Sequence, residues 1–256
     1  MIISRRKLLV GAAAGTGALI LPGCDAAVRS PTWNTILSGG EKLTYGAQRA
    51  LQFAQPLARE FSERDLSPVF RANGTTNPDT PEYNAMLAAG FSNWRLQIDG
   101  LVERPQSYSL ADLKALPSRT QITRHDCVEG WSAIGRWKGA QLAPLLMAAG
   151  LKPKARFALF HCADDLDKTP DGLGKYYETS DLIDCFHPQT ILAYELNNKP
   201  LDVAHGAPVR MRIERALGYK QPKYVMRIEM IERFDHLGKG KGGYWEDRGY
   251  EWYGGI

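Results

Sequence analysis

The sequence predicts one α+β domain, mixed and β-rich with short helices, behind an N-terminal leader. Three observations carry this expectation. Apolar residues recur with period two in several short runs, the helical runs are brief and separated by long loops, and no linker or change of composition interrupts the chain after the leader. Regular βαβ alternation does not appear, so a doubly wound parallel sheet is not expected.

Taken in order, residues 1–27 read as an export leader, 28–64 as an approach segment and 65–256 as the domain. Within the approach, Leu43 to Leu57 has helical apolar spacing (Leu43, Ala47, Ala50, Leu51, Ala54) and is expected to stop at Pro56. Asn73-Gly74-Thr75-Thr76-Asn77-Pro78 is a loop by composition. Trp94 to Gly100 alternates and ends in Asp-Gly, a strand entering a turn. Ser109 to Leu116 is a short helix, with Ser109 as N-cap and Asp112 placed for a capping box. Gln121 to Arg124 is a strand that delivers His125-Asp126-Cys127 to its end. Lys138 to Gly150 reads as a helix with Leu142, Leu145, Leu146 and Ala149 on one face and Gly150 closing it. Phe157 to His161, Val209 to Ile213 and Tyr224 to Ile231 complete the strands, and the second of these puts Arg210 and Arg212 on one face.

A chain of 256 residues with 44% hydrophobic and 23% charged residues is long enough for a sizeable core, which excludes wholesale disorder. Its formal net charge is +4, but Arg5, Arg6 and Lys7 precede the first acid, Asp25, and setting those three aside leaves +1. A near-neutral body argues against a nucleic-acid partner. There are no internal repeats or low-complexity tracts.

Ser4-Arg5-Arg6-Lys7-Leu8-Leu9 followed by an apolar run from Val10 to Leu21 has the form of an export signal, too short to span a bilayer. The paired arginines resemble a twin-arginine signal, whose route carries folded proteins. Leu21-Pro22-Gly23-Cys24 resembles a lipobox with an unusual proline. Either a lipidated Cys24 or an uncleaved leader would tether the chain, which places it in the periplasm at the inner membrane.

Besides Cys24 there are Cys127, Cys162 and Cys185, with no C-x-x-C and hence no covalent haem motif. Each lies close to a histidine: His125 with Cys127, His161 with Cys162, His187 with Cys185. The three couplets admit a zinc site, although their spacings match no zinc knuckle. The plainer reading makes Cys185 and His187 buried packing groups. Cys127 stands apart, because Arg124 and His125 beside it are expected to favour the thiolate, a soft ligand for a redox metal.

Arg124-His125-Asp126-Cys127-Val128-Glu129-Gly130-Trp131-Ser132, followed by Trp137 and Gly139, resembles the cysteine segment of the sulfite oxidase family of mononuclear molybdenum enzymes. His205-Gly206-Ala207-Pro208-Val209-Arg210, leading through Gly218-Tyr219-Lys220 to Lys223, resembles a second segment of that family. The resemblance runs from about residue 65 to the end. It implies one molybdenum–molybdopterin cofactor per chain, with the Cys127 thiolate on the metal and Arg124 and His125 as further catalytic groups. It also implies cofactor contacts from Asn73, Thr76, Asn77, Cys162, His205, Arg210, Gln221, Pro222 and Lys223. Cys162 stands where related reductases carry a threonine. Arginine and glycine-turn N–H groups suit a pterin phosphate. Trp131, Arg136, Trp137 and Lys138 are further pocket candidates.

The implied activity is oxygen-atom transfer coupled to two-electron redox, sulfite-oxidase-like. The alternative on the same fold is reduction of methionine sulfoxide or other S- or N-oxides, since no arginine follows Cys127 to bind a sulfite dianion. An alternative of a different class is a zinc-binding structural envelope lipoprotein. The expected partners are a small oxo-substrate or oxidised sulfur compound and, for electrons, a membrane b-type cytochrome or a soluble cytochrome; the chain is taken as a monomer. The aromatic run from Gly242 to Ile256 is read as a tail packed across the domain, with a rim over the site or a docking surface for an electron carrier as the functional reading.

Overall fold

A computed structural model describes residues 31–51, 56–168 and 174–256. The leader, with Arg5, Arg6 and Cys24, lies outside the described residues. The chain divides into two compact units, Met1–Ala54 and Gln55–Ile256. In the first, helix α1 (Pro31–Leu51) starts on a proline, which suits a helix's first turn because its missing N–H has no partner to lose. It begins a dozen residues before the expected helical run and exposes Leu43 and Leu51. No described helix is long and apolar enough to cross a membrane.

The second unit holds helix α2 (Pro81–Ala88), strands β1 (Leu96–Gly100) and β2 (Gln106–Tyr108), and helix α3 (Leu110–Ala115). A long hairpin follows, β3 (Ser118–Cys127) and β4 (Trp131–Gln141), then helix α4 (Leu142–Ala149). Strands β5 (Phe157–Asp165) and β6 (Lys175–Asp181), the single turn α5 (Leu182–Cys185), and strands β7 (Ile191–Leu196), β8 (Lys199–Pro200), β9 (Arg210–Arg212) and β10 (Val225–Ile231) complete it. These form two sheets, one ordered β2-β1-β10-β5-β6 and the other β3-β4-β7-β8 with β9 also on β7. Only β1 and β10 pair in parallel among these strands. The mixed, β-rich α+β architecture expected from the sequence is present.

Local chemistry accounts for the short helices. Ser109 Oγ accepts from Asp112 N–H at 3.1 Å while the Asp112 carboxylate accepts from Ser109 N–H at 2.8 Å, the reciprocal capping box that starts α3. Helix α4 buries Leu142, Leu145, Leu146 and Ala149, and Gly150 closes it at φ +71°. Each of those leucines contributes about 2 kcal/mol by leaving water, and they join Leu96, Ile98, Phe160 and Ile228 in the main core.

The expected helix over Lys138 to Gly150 is only half right. Residues Lys138 to Gln141 continue β4 and pair with β7, because their backbone N–H and C=O groups find a neighbouring strand. Gly139 permits that approach: a Cβ there would lie 2.2 Å from the Leu192 carbonyl oxygen. The β3–β4 hairpin is also longer than expected, from Ser118 to Gln141. Residues 58–67, which straddle the expected domain start at 65, run beside it: Phe61 N–H donates to Ile122 O at 2.9 Å and Ser67 N–H to Ile134 O at 3.0 Å.

Candidate functional site

Cys127 is the last residue of β3. The three residues Val128, Glu129 and Gly130 turn the chain into β4, with Gly130 at φ +85° and its N–H donating to Cys127 O at 3.1 Å. A glycine in the left-handed region is what a three-residue hairpin of this kind requires. The sequence Cys-Val-Glu-Gly-Trp therefore presents the thiol at a hairpin tip. Val128 is 44% exposed beside it.

The tip faces a cavity of about 640 Å³, open mouth included. Its walls come from four distant segments. The loop at Asn73, Gly74 and Thr75 supplies one, Asp164 at the end of β5 another, the turn holding Gly218, Gln221, Pro222 and Lys223 a third, and Trp245 and Tyr250 of the C-terminal run the fourth. Lys223 ties two of these together, because its ammonium donates to the carbonyls of Asn73 at 2.6 Å, Thr75, and Ala204 at 2.9 Å. Burial, then Arg210, pulls the Lys223 pKa down to about 7, with Asp164 opposing. Gly206, at φ +107°, lets the chain pass close: a Cβ there would come within 3.0 Å of Lys223 and 3.1 Å of Arg210.

Behind the cavity lies a buried cationic layer. Arg210 and Arg212 are fully buried and share one face of β9, as expected, where both lie over the Trp137 ring at 5.1 and 4.4 Å. Arg212 grips Glu214 through two hydrogen bonds, 3.0 and 2.7 Å, and donates to His125 Nδ1 at 2.8 Å. Burial, Arg212 and Arg210 hold the His125 pKa well below the ordinary histidine range, while Gln221 opposes. His125 is thus a neutral imidazole carrying its proton on Nε2. Burial and then Arg212 lower Arg210 to about 9, so its guanidinium stays charged at neutral pH.

Not every expected group reaches the site. Period two on a strand sends Arg124 with Asp126 away from Cys127; Arg124 bonds Asp126 at 2.9 Å and lines a separate cavity. The expected thiolate-stabilising pair of Arg124 and His125 therefore does not act, one being remote and the other neutral. Burial raises the free Cys127 thiol above its usual pKa; Glu129 adds to this, whereas backbone N–H groups and Arg210 oppose it. Thr76 and Asn77 are exposed outside the cavity, and Cys162 is buried in β5 on the wall of another. His205 spends Nδ1 on Asp202 at 2.7 Å and Nε2 on Phe70 O at 2.9 Å. Trp137 and Trp131 pack against Phe70, while Arg136 pairs with Glu63 and Lys138 with Glu195.

Cys162 and Cys185 are buried, and Cys127 and Cys162 carry free thiols. His187 accepts from Gln189 N–H at 3.3 Å, the hydrogen-bonded packing role the plainer reading expects. No group of three potential metal ligands gathers among the described residues.

Asp164 has no signature of a site residue in the sequence, whereas Trp245 and Tyr250 belong to the aromatic run whose functional reading is a rim over the site. Burial raises the Asp164 pKa from 3.8 to about 6, with Lys223 opposing. Between those values the folded chain binds more protons than the unfolded one, so stability falls as pH rises through that window. Asp164→Asn is expected to stabilise the cofactor-free protein at pH 7.5 by up to about 3 kcal/mol, and to be neutral below pH 3.8. Urea unfolding at the two pH values checks this.

Residues 83–236 match the oxidoreductase molybdopterin binding domain, more than half of the chain. The chain belongs to this family of molybdopterin-dependent oxidoreductases. It is 36% identical over 202 residues to a protein of Azospira oryzae provisionally named protein-methionine-sulfoxide reductase subunit YedZ1, covering 76% of this chain and 70% of that one. It is 30% identical over 241 residues to the protein-methionine-sulfoxide reductase catalytic subunit MsrP of Ralstonia nicotianae, covering 90% and 69%. Among solved structures, the sulfane dehydrogenase SoxCD of Paracoccus pantotrophus aligns at 21% identity and a TM-score of 0.48, covering 56% of this chain and 39% of that one.

The cavity suits the family's cofactor. Molybdopterin has N–H donors on its pterin edge and an anionic phosphate at its other end. Buried acceptors without a partner stand at the cavity in Asn73 Oδ1, Asp164 Oδ1 and Gln221 Oε1, and buried donors without one stand behind it in Arg210 Nε and His125 Nε2. Such orphaned groups are costly unless a ligand satisfies them. Gly218 keeps the passage between them open, since a Cβ there would lie 2.6 Å from His125 Nε2.

Proposed function

We propose that the chain is a reductase of sulfur oxides, with methionine sulfoxide in polypeptides as its substrate class. One observation carries the choice. Lys223 is the sole cation among the described residues lining the Cys127 cavity, and its ammonium is held by three carbonyls. Glu129, exposed beside Cys127, adds a negative charge at the mouth. A sulfite dianion would meet a carboxylate and no free guanidinium, whereas a neutral sulfoxide meets no such repulsion. The names borne by the relatives support the same direction.

In this reading the Cys127 thiolate ligates the metal. Asn73, Asp164 and Gln221 accept from the pterin's N–H groups, and Arg210 with the backbone of the 218–221 turn faces its phosphate. When bound, the cofactor would supply the oxygen acceptor and the two electrons that sulfoxide reduction needs. The balance is one sulfoxide, two protons and two electrons giving one thioether and one water. His125, neutral and held by Arg212, presents an Nε2–H to the cavity side without adding charge. Electrons come from outside the chain, from a membrane b-type cytochrome or, as second choice, a soluble one. The twin-arginine-like leader supports a folded, periplasmic protein held at the inner membrane, which cell fractionation of the full chain checks.

Protein purified from cells that make molybdopterin is expected to carry about one molybdenum per chain. With reduced viologen as electron donor it is expected to turn over peptide methionine sulfoxide. Oxidation of sulfite as the faster reaction, with sulfoxides inert, would overturn the assignment.

A further inference from the structure

The family match ends at residue 236, yet two rings beyond it line the cavity that Cys127 faces. The C-terminal run returns to the domain through well-made contacts. Tyr244 N–H donates to Tyr177 O at 3.0 Å, Leu217 N–H to Gly254 O at 2.8 Å, and Ile256 N–H to Arg215 O at 3.0 Å. Between these anchors Tyr250 N–H donates to Trp245 O at 3.1 Å, with Gly249 at φ +106° turning the chain. The Asp247 carboxylate accepts from Lys239 N–H, Lys241 N–H and the Tyr177 hydroxyl.

The outcome is a rigid aromatic wall. Trp245 and Tyr250 stack at 5.5 Å with 27° between planes, Tyr219 meets Tyr250 edge-on at 5.1 Å, and Tyr244 meets Trp245 edge-on at 5.3 Å. Tyr250 is 40% exposed and Trp245 partly so, whereas Gln221, Lys223 and Asp164 of the same cavity are buried. Exposure thus separates a deep end, where the orphaned polar atoms are, from a mouth formed by Val128, Glu129, Trp245 and Tyr250. Trp245 packs against the edge of the main core, which fixes its ring, whereas Tyr250 lies outside that core, and neither residue carries one of the orphaned polar atoms.

We propose that Trp245 and Tyr250 are specificity-determining residues whose stacked rings seat the methyl group and methylene stem of a methionine sulfoxide side chain, leaving its S–O bond directed at the Cys127 end. This rests on the reading of the site as a sulfur-oxide reductase. The chemistry favours it: sulfur-bearing alkyl groups bind aromatic rings, and the partly positive sulfoxide sulfur is attracted to the ring's negative face. A wall at an open mouth admits a side chain still attached to a polypeptide.

The test compares peptide methionine sulfoxide with dimethyl sulfoxide, which has no stem, in Trp245→Ala, Tyr250→Ala and Tyr250→Phe holoenzymes. Molybdenum and released-pterin content per chain serve as a readout independent of activity. Both alanine variants are expected to keep wild-type cofactor content and to raise KM for the peptide about tenfold with kcat nearly unchanged. Their kcat/KM for dimethyl sulfoxide, which keeps the methyl group and sulfur but lacks the stem, is expected to fall less, by about two- to threefold, and Tyr250→Phe is expected to behave as wild type. Equal losses on both substrates, lost cofactor, or unchanged peptide kinetics in both alanine variants would overturn the wall's role while the reductase reading stands. A wild-type protein loaded with cofactor but inert to both sulfoxides would overturn that reading and the proposal with it.

Discussion

Replacing Cys127 by serine is expected to abolish turnover while the protein stays folded. The thiol stands at a hairpin tip whose shape depends on other bonds. Gly130 N–H holds the Cys127 carbonyl, Asp126 pairs with Ser132, and Cys127 pairs with Trp131 through the backbone. Removing sulfur therefore leaves the strand ends and the Gly130 turn in place, and the melting temperature is expected to move by less than about 3 °C. The chemical consequence is far larger. Groups that only support a metal ligand are worth about 10- to 100-fold, and loss of the ligand itself is expected to exceed that range. Separate assays make the result informative, because pterin held by the cavity's remaining contacts should survive better than molybdenum. A serine variant with wild-type kcat would end the assignment of Cys127 to the metal.

The second large effect is on stability. Glu214→Ala is expected to cost about 3–5 kcal/mol, because it strands the fully buried Arg212 guanidinium without its counter-charge. Both side chains are completely buried, and the Glu214 carboxylate also accepts from Gln121 Nε2 at 2.8 Å. Arg212 cannot relax outward, with Trp137 against its flat face and His125 on its remaining edge. Urea unfolding measures the loss. The double replacement Arg212→Met with Glu214→Leu is expected to be more stable than Glu214→Ala, since it removes the unpaired charge as well as the pair. It should nonetheless impair the site, as His125 Nδ1 then lacks the donor that sets its tautomer. If the single variant unfolds at the wild-type urea concentration, Arg212 and Glu214 are not a closed buried pair.

Much of this architecture is written locally. The capping box at Ser109 and Asp112, the apolar stripe of α4, the alternation of β1 and β10 and the glycine that turns the Cys127 hairpin all act within a few residues, so the sequence alone is enough to find them. The placement of Arg210 and Arg212 on one face follows equally from period two. The same rule excludes Arg124 from the site: it is three residues from Cys127 along β3 and so belongs to the other face. Nearness in the chain is not nearness in space on a strand.

Other features have no local signature. Lys138 to Gln141 looks helical until β7 offers its backbone a partner. Asp164 lies among acids typical of a loop, and only the closure of β5 over the 73–75 loop and Lys223 buries it and lifts its pKa. Trp245 and Tyr250 are two rings in an aromatic tail until the tail folds back beside Cys127, more than a hundred residues earlier. The strand and helix periods and the turns are legible in the chain alone, because short-range sterics and hydrogen bonding decide these. Tertiary structure decided which of the polar and aromatic side chains meet around the Cys127 sulfur, because burial and charge depend on segments brought together by sheet packing.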